Sequence, residues 1–108
     1  MNLENKLEDF LHHISINQDN LDEWYLSDFI DENIKILSSY ESFEFMKKII
    51  PYLVNYPEYG YELLEITQEL KRQADTTEIF YNDDIPKKLI EMHVDDEYLT
   101  KIINNIFK

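Results

Sequence analysis

The chain has 108 residues, 44% of them hydrophobic, which suits one domain (residues 1–108) with its own core and is too apolar for a disordered segment. It has no cysteine and a formal net charge of −13, from 23 acids against 10 bases. A disulfide framework and a thiolate zinc site are excluded, and binding to DNA, RNA or an anionic membrane is opposed.

One glycine, Gly60, and three prolines are too few for the turns of a sheet protein, so the expected class is all-α. The opening MNLENKLEDF places acids where a signal peptide needs a basic region followed by an apolar one. No apolar run approaches the roughly 18 residues of a membrane span. The expected location is the cytoplasm.

In the first helix Leu3, Leu7, Phe10, Leu11 and Ile14 form one stripe of 3.6-residue period, ending near Ser15. Asp19 or Asn20 is the expected cap of a second helix, with Asp22 and Glu23 in its first turn. Its pattern runs through Leu21, Trp24, Tyr25, Phe29, Ile30, Ile34 and Leu37 to about Ser38, with room for a restart capped by Ser27 or Asp28. Ser39 or Ser42 opens a third helix whose apolar face is Phe43, Met46, Ile50, Leu53 and Val54. Pro51 inside it predicts a kink or a boundary. Asn55 to Glu58 form a turn. The fourth helix runs from about Glu58 to Ala74 with Tyr59, Leu63, Ile66, Thr67 and Leu70 inward. Residues 75–84 read as an extended loop, because the β-favouring Thr76, Thr77, Ile79, Phe80 and Tyr81 have no partner strand. Asp84 caps a short helix with Pro86 in its first turn and Leu89, Ile90 and Met92 or His93 inward. Asp95 or Asp96 caps the last, whose core stripe is Leu99, Ile102, Ile103 and Ile106. Five or six short amphipathic helices in antiparallel pairs follow, as a compact bundle or a HEAT-like stack.

No catalytic motif stands out, so the expected protein is not an enzyme and needs no cofactor. His12 and His13 are adjacent on one helix and point about 100° apart, so they do not share an ion. Both read as surface histidines beside Glu8 and Asp9. His93, near Glu91, Asp95, Asp96 and Glu97, lacks the Glu-x-x-His spacing of a di-iron bundle. The acids from Asp19 to Asp31 lack the alternate spacing and central glycine of a calcium loop. Paired carboxylates are too frequent here for any pair to mark acid–base chemistry.

Two features suit binding. Residues 1–46 hold 11 acids and two bases, −9, against 12 acids and eight bases, −4, in residues 47–108. The acidic stretch is Asp19, Asp22, Glu23, Asp28, Asp31, Glu32, Glu41 and Glu44, with Trp24 and Tyr25 inside it. Its ordinary reading is a solvated helical face. Tyrosines crowd one helix junction, where Tyr56, Tyr59 and Tyr61 join Tyr52. They read either as core or as interface anchors.

The segment NYPEYGYELLEITQELKRQADTTEIFYND, residues 55–83, together with size, acidity and helical class, resembles the small acidic all-helical immunity proteins of bacterial polymorphic-toxin and contact-dependent inhibition systems. The resemblance implies a tight one-to-one complex with a cognate toxin domain, formed in the cytoplasm. The expected partner is thus a basic, nuclease-like protein domain, bound through the acids and rings named above. Alternatives are a HEAT-like helical adaptor or a DNA-mimic inhibitor of a nucleic-acid-binding protein.

Overall fold

Six α-helices and two short irregular helical turns account for the regular structure of the computed structural model, which describes residues 2–76, 78 and 81–107. They are α1 (Leu3–Ile16), α2 (Tyr25–Phe29) continued by a π-helical segment (Ile30–Ile34), α3 (Ser39–Asn55), a 3-10 turn (Pro57–Tyr59), α4 (Gly60–Ala74), α5 (Asp84–Met92) and α6 (Glu97–Ile106). No strand occurs among the described residues, so the chain is all-α.

Cross-helix bonds fix the direction of each element. Glu4 pairs with Lys48 at 3.6 Å, and the Tyr52 hydroxyl donates to Glu8 at 2.8 Å, so α1 and α3 run parallel. The Tyr25 hydroxyl donates to Glu62 at 2.6 Å, while Gln73 Nε2 donates to the carbonyl of Ile34 at 2.8 Å. The α2–π unit therefore runs parallel to α4. Gln73 Nε2 also donates to Ser42 Oγ at 3.0 Å, tying the end of α4 to the start of α3. Tyr98 donates to Glu65 at 3.0 Å, and Lys71 Nζ reaches the carbonyls of Asn105 and Ile106, so α6 is parallel to α4 too. The His93 ring lies against Gly60, which brings the end of α5 to the start of α4.

The result is three antiparallel hairpins in a stack. One layer holds α1, α3 and α5; the other holds α2 with its π segment, α4 and α6. The outline measures 36 × 34 × 19 Å, and its thin axis is two helix diameters. The expected compact all-α arrangement of antiparallel pairs is met, and each hairpin buries its apolar stripe against the next. The radius of gyration, 13.4 Å, is that of a compact chain of this length.

The core lies between the layers. Leu7, Ile34, Met46, Ile49, Leu63, Leu64, Ile66, Leu70, Leu89 and Ile103 are fully buried. Among the described residues the two buried polar side chains are both bonded: Thr67 donates to the Leu63 carbonyl at 2.7 Å, and Ser42 accepts from Gln73.

Several local expectations are corrected. The second helix starts at Tyr25, not near Leu21, because the Asp22 carboxylate accepts the Trp24 N–H at 2.9 Å and turns the chain there; Asp19 and Asn20 lie before that turn and do not cap the helix. It passes through Ser27 without a restart, widens at Ile30, where Lys35 N–H reaches the Ile30 carbonyl at 2.9 Å, and ends at Ile34. The third helix does open at Ser39, with Ser38 before it as the cap. Its buried residues are Ser42, Phe45, Met46, Ile49 and Leu53, while Phe43, Ile50 and Val54 are only half-buried. As the middle helix of its layer, α3 is apolar on more than one side, so a single stripe mis-set its rotation. Pro51 is no boundary: α3 continues to Asn55, held by the buried Ile49 and Leu53 on either side. Asp84 is the first residue of α5 and makes no cap. Asp96 does cap α6, accepting the Leu99 N–H at 3.0 Å. Of the expected extended loop, Thr77, Ile79 and Phe80 lie outside the described residues.

Candidate functional site

In a stack of hairpins, alternate connections lie at the same end of the slab. The first, third and fifth connections, residues 17–24, 56–59 and 93–96, therefore share one end. Each belongs to a different hairpin or junction, yet their compositions match. Residues 17–24, 56–62 and 93–98 carry eight acids, namely Asp19, Asp22, Glu23, Glu58, Glu62, Asp95, Asp96 and Glu97, and contain no lysine or arginine.

The same end gathers exposed apolar groups. Of the eight large hydrophobic side chains exposed among the described residues, six are here: Ile16, Trp24, Tyr56, Tyr61, Val94 and Tyr98. Trp24, Val94 and Tyr98 are 60%, 66% and 52% exposed, which is costly in water unless the surface is covered at times. Exposed rings set among uncompensated carboxylates suit a basic protein surface: apolar area supplies binding energy and the acids select and steer cations.

The aromatic groups fall into two clusters. At the end of α3 Tyr52 and Tyr56 stack at 5.8 Å between ring centroids, with Tyr59 6.4 Å from Tyr56. Burial and the hydrogen bond to Glu8 push the Tyr52 hydroxyl up to about 12. On the α2–α4–α6 face, Tyr61 and Tyr98 lie 6.0 Å apart. Tyr25 sits beside them, half-buried, its ring 6.1 Å from Phe10. Burial first, and then the bond to Glu62, raise the Tyr25 hydroxyl well above the ordinary tyrosine range; Tyr98 is raised chiefly by its bond to Glu65. Below this cluster the face continues as a shallow groove lined by Ile30, Gln68, Glu69, Arg72 and Asn105.

The residues singled out in the sequence divide. Asp19, Asp22, Glu23, Trp24, Tyr25, Tyr56, Tyr59 and Tyr61 are brought together at the acidic end. Asp28, Asp31 and Glu32 are exposed but run away from it along α2 and the π segment, and Asp31 pairs with Lys35 at 3.0 Å. Glu41 and Glu44 lie at the opposite end, at the start of α3. Glu41 accepts the Ser38 N–H at 2.9 Å in a capping box, and Glu44 pairs with Lys47 at 2.5 Å. Glu58, Glu62, Asp95, Asp96, Glu97, Val94 and Tyr98 were not singled out. The signal for them was parity: in a stack of hairpins, alternate turns share an end, and all three of these turns lack a base.

His93 is half-buried against Gly60, and burial lowers its pKa. His13 contacts Asn17 Nδ2 at 3.2 Å through Nδ1. Among the described residues no group of three or more His, Asp or Glu is placed to hold a metal ion, and no helix is long and apolar enough to cross a membrane. Compared with protein-family models, with curated proteins and with solved structures, the chain matches none.

Proposed function

We propose that this chain is an immunity-type binding protein. It acts without catalysis, neutralising a basic, nuclease-like toxin domain in the cytoplasm by forming a tight one-to-one complex. The observation that carries the reading is the end of the stack where eight acids meet six exposed apolar side chains with no base in the three connecting segments. Acids placed for solubility alone would be spread over the surface and interleaved with bases, as they are elsewhere on this chain: Asp31 with Lys35, Glu44 with Lys47, Glu4 with Lys48 and Glu69 with Arg72.

Long-range attraction to such an end raises the association rate and is screened by salt, whereas the rings govern dissociation. The test reverses Asp22, Glu23, Asp95 and Glu97 to lysine, all exposed. Association with the co-purified partner, followed by stopped flow, is expected to slow by about tenfold or more and to lose most of its salt dependence. Unchanged association would assign the acids to solvation. A second reading, a helical adaptor, is favoured by the hairpin stack itself; it predicts binding that survives the fourfold reversal and maps to a layer face.

A further inference from the structure

Within the acidic end, one patch has a more specific chemistry than charge. Tyr61 and Tyr98 expose their rings side by side on α4 and α6. Glu62 and Glu65 follow Tyr61 on α4 and lie between the hydroxyls of Tyr25 and Tyr98, each accepting one hydrogen bond. Among the described residues neither carboxylate is paired with a cation. A carboxylate oxygen has capacity for more than one donor, so each retains acceptor sites. Tyr25 and Tyr98 hold the two carboxylates in place, so little side-chain freedom is lost when a further donor arrives.

We infer that this patch is a docking point for an arginine side chain of a basic partner. A guanidinium is planar: it stacks on an aromatic face and donates in parallel to a carboxylate, and it gives up hydration more readily than an ammonium. Rings with positioned carboxylates beside them satisfy both modes together. A lysine ammonium would gain the charge interaction but neither the stacking nor the fork. Charge complementarity decides the occupant, since neither Glu62 nor Glu65 is engaged in an ion pair with a base of this chain among the described residues. The inference rests on the proposed binding of a basic partner, and names the side chain that partner must present.

The experiment uses two capped decapeptides, one of alternating arginine and serine and one of alternating lysine and serine, titrated calorimetrically into the intact protein at low salt. The arginine peptide is expected to bind about tenfold tighter. In the double variant Tyr61→Ala, Tyr98→Ala the preference should vanish, leaving weak binding of both peptides with equal salt dependence. Tyr98→Phe, which keeps the ring and releases Glu65 from its hydroxyl, should retain the preference. Glu65→Gln, which leaves every ring in place, should reduce it. Equal affinity of the two peptides for the wild-type protein would overturn the arginine site while leaving the wider reading standing. A preference that survives the double variant would overturn it too, by placing the selectivity elsewhere. Failure of both peptides to bind would remove the wider reading as well.

Discussion

Gly60 adopts an ordinary helical conformation, with a φ of −52°. Its lack of a side chain serves close approach instead: a Cβ there would lie 2.6 Å from His93 Cε1 and 3.0 Å from Nε2. Glycine to alanine within a helix usually gains about 1 kcal/mol. Here Gly60→Ala is expected to cost about 1–2 kcal/mol through overpacking, and to become stabilising in a His93→Ala background. Chemical denaturation of the four proteins of that cycle checks this; additivity would deny the contact. The tyrosine–carboxylate bonds act at the same scale. A raised folded-state pKa means that the neutral hydroxyl is favoured in the fold. That stabilisation is complete below the ordinary tyrosine value near 10 and is lost as pH rises. For Tyr52 the loss spans the interval from about 10 to the folded value of about 12. Denaturation midpoints between those limits should fall more steeply in the wild type than in Tyr52→Phe; parallel curves would mean that the Glu8 bond does not persist in solution.

At the scale of the element, the ends of α3 and α4 carry distinct devices. Ser38 Oγ accepts the Glu41 N–H at 3.1 Å, and Glu41 returns the bond, so two otherwise unsatisfied amides at the start of α3 are covered. Ser38→Ala should cost about 1 kcal/mol. Glu41→Lys should lower the melting temperature while leaving association with a partner unchanged, because its carboxylate is engaged far from the acidic end. Asp75, which ends α4, has a φ of 48°, the left-handed region where glycine is favoured, and it sets a negative charge at the negative end of the helix. Asp75→Gly relieves both and is expected to stabilise the fold by about 0.5–1 kcal/mol, measured by thermal unfolding. The exit of α6 uses the opposite device: Lys71 from α4 donates to its last carbonyls, where a cation is favourable.

At the scale of the whole molecule, the stack explains both the core and the polarity. Each hairpin buries its stripe on its neighbour, with α3 against α5 and α4 against α6. The third hairpin therefore covers faces of the second that would otherwise meet water. A chain cut after residue 83 is expected to lose cooperative unfolding, and the full chain to unfold in one transition. Leu7→Ala in the first hairpin and Ile103→Ala in the third remove fully buried side chains and should each cost about 2–5 kcal/mol. If either were tolerated without loss, the hairpins would be independent and not one cooperative stack.

Near-absence of glycine and the 3.6-residue period of the apolar positions settled the helical class and most helix locations before any coordinates. Both are properties of the backbone and of neighbours within one turn, so they are written locally. Leu7, Leu11, Ile14, Leu63, Ile66, Leu70, Ile102 and Ile103 were legible as core for that reason. The rotation of α3 was not, because a helix flanked on several sides is apolar around much of its girth. The start of α2 was not, because one side-chain bond from Asp22 outweighs weak propensities. The candidate site was legible in residue type and only partly in membership. Sequence order groups Asp19 to Glu44, yet Glu41 and Glu44 face the opposite end, and Asp95, Glu97 and Tyr98 join Asp22 and Trp24 from some 70 positions away. Only the stacking of hairpins decides which turns share an end. That depends on interhelical packing between distant residues, which no local pattern encodes.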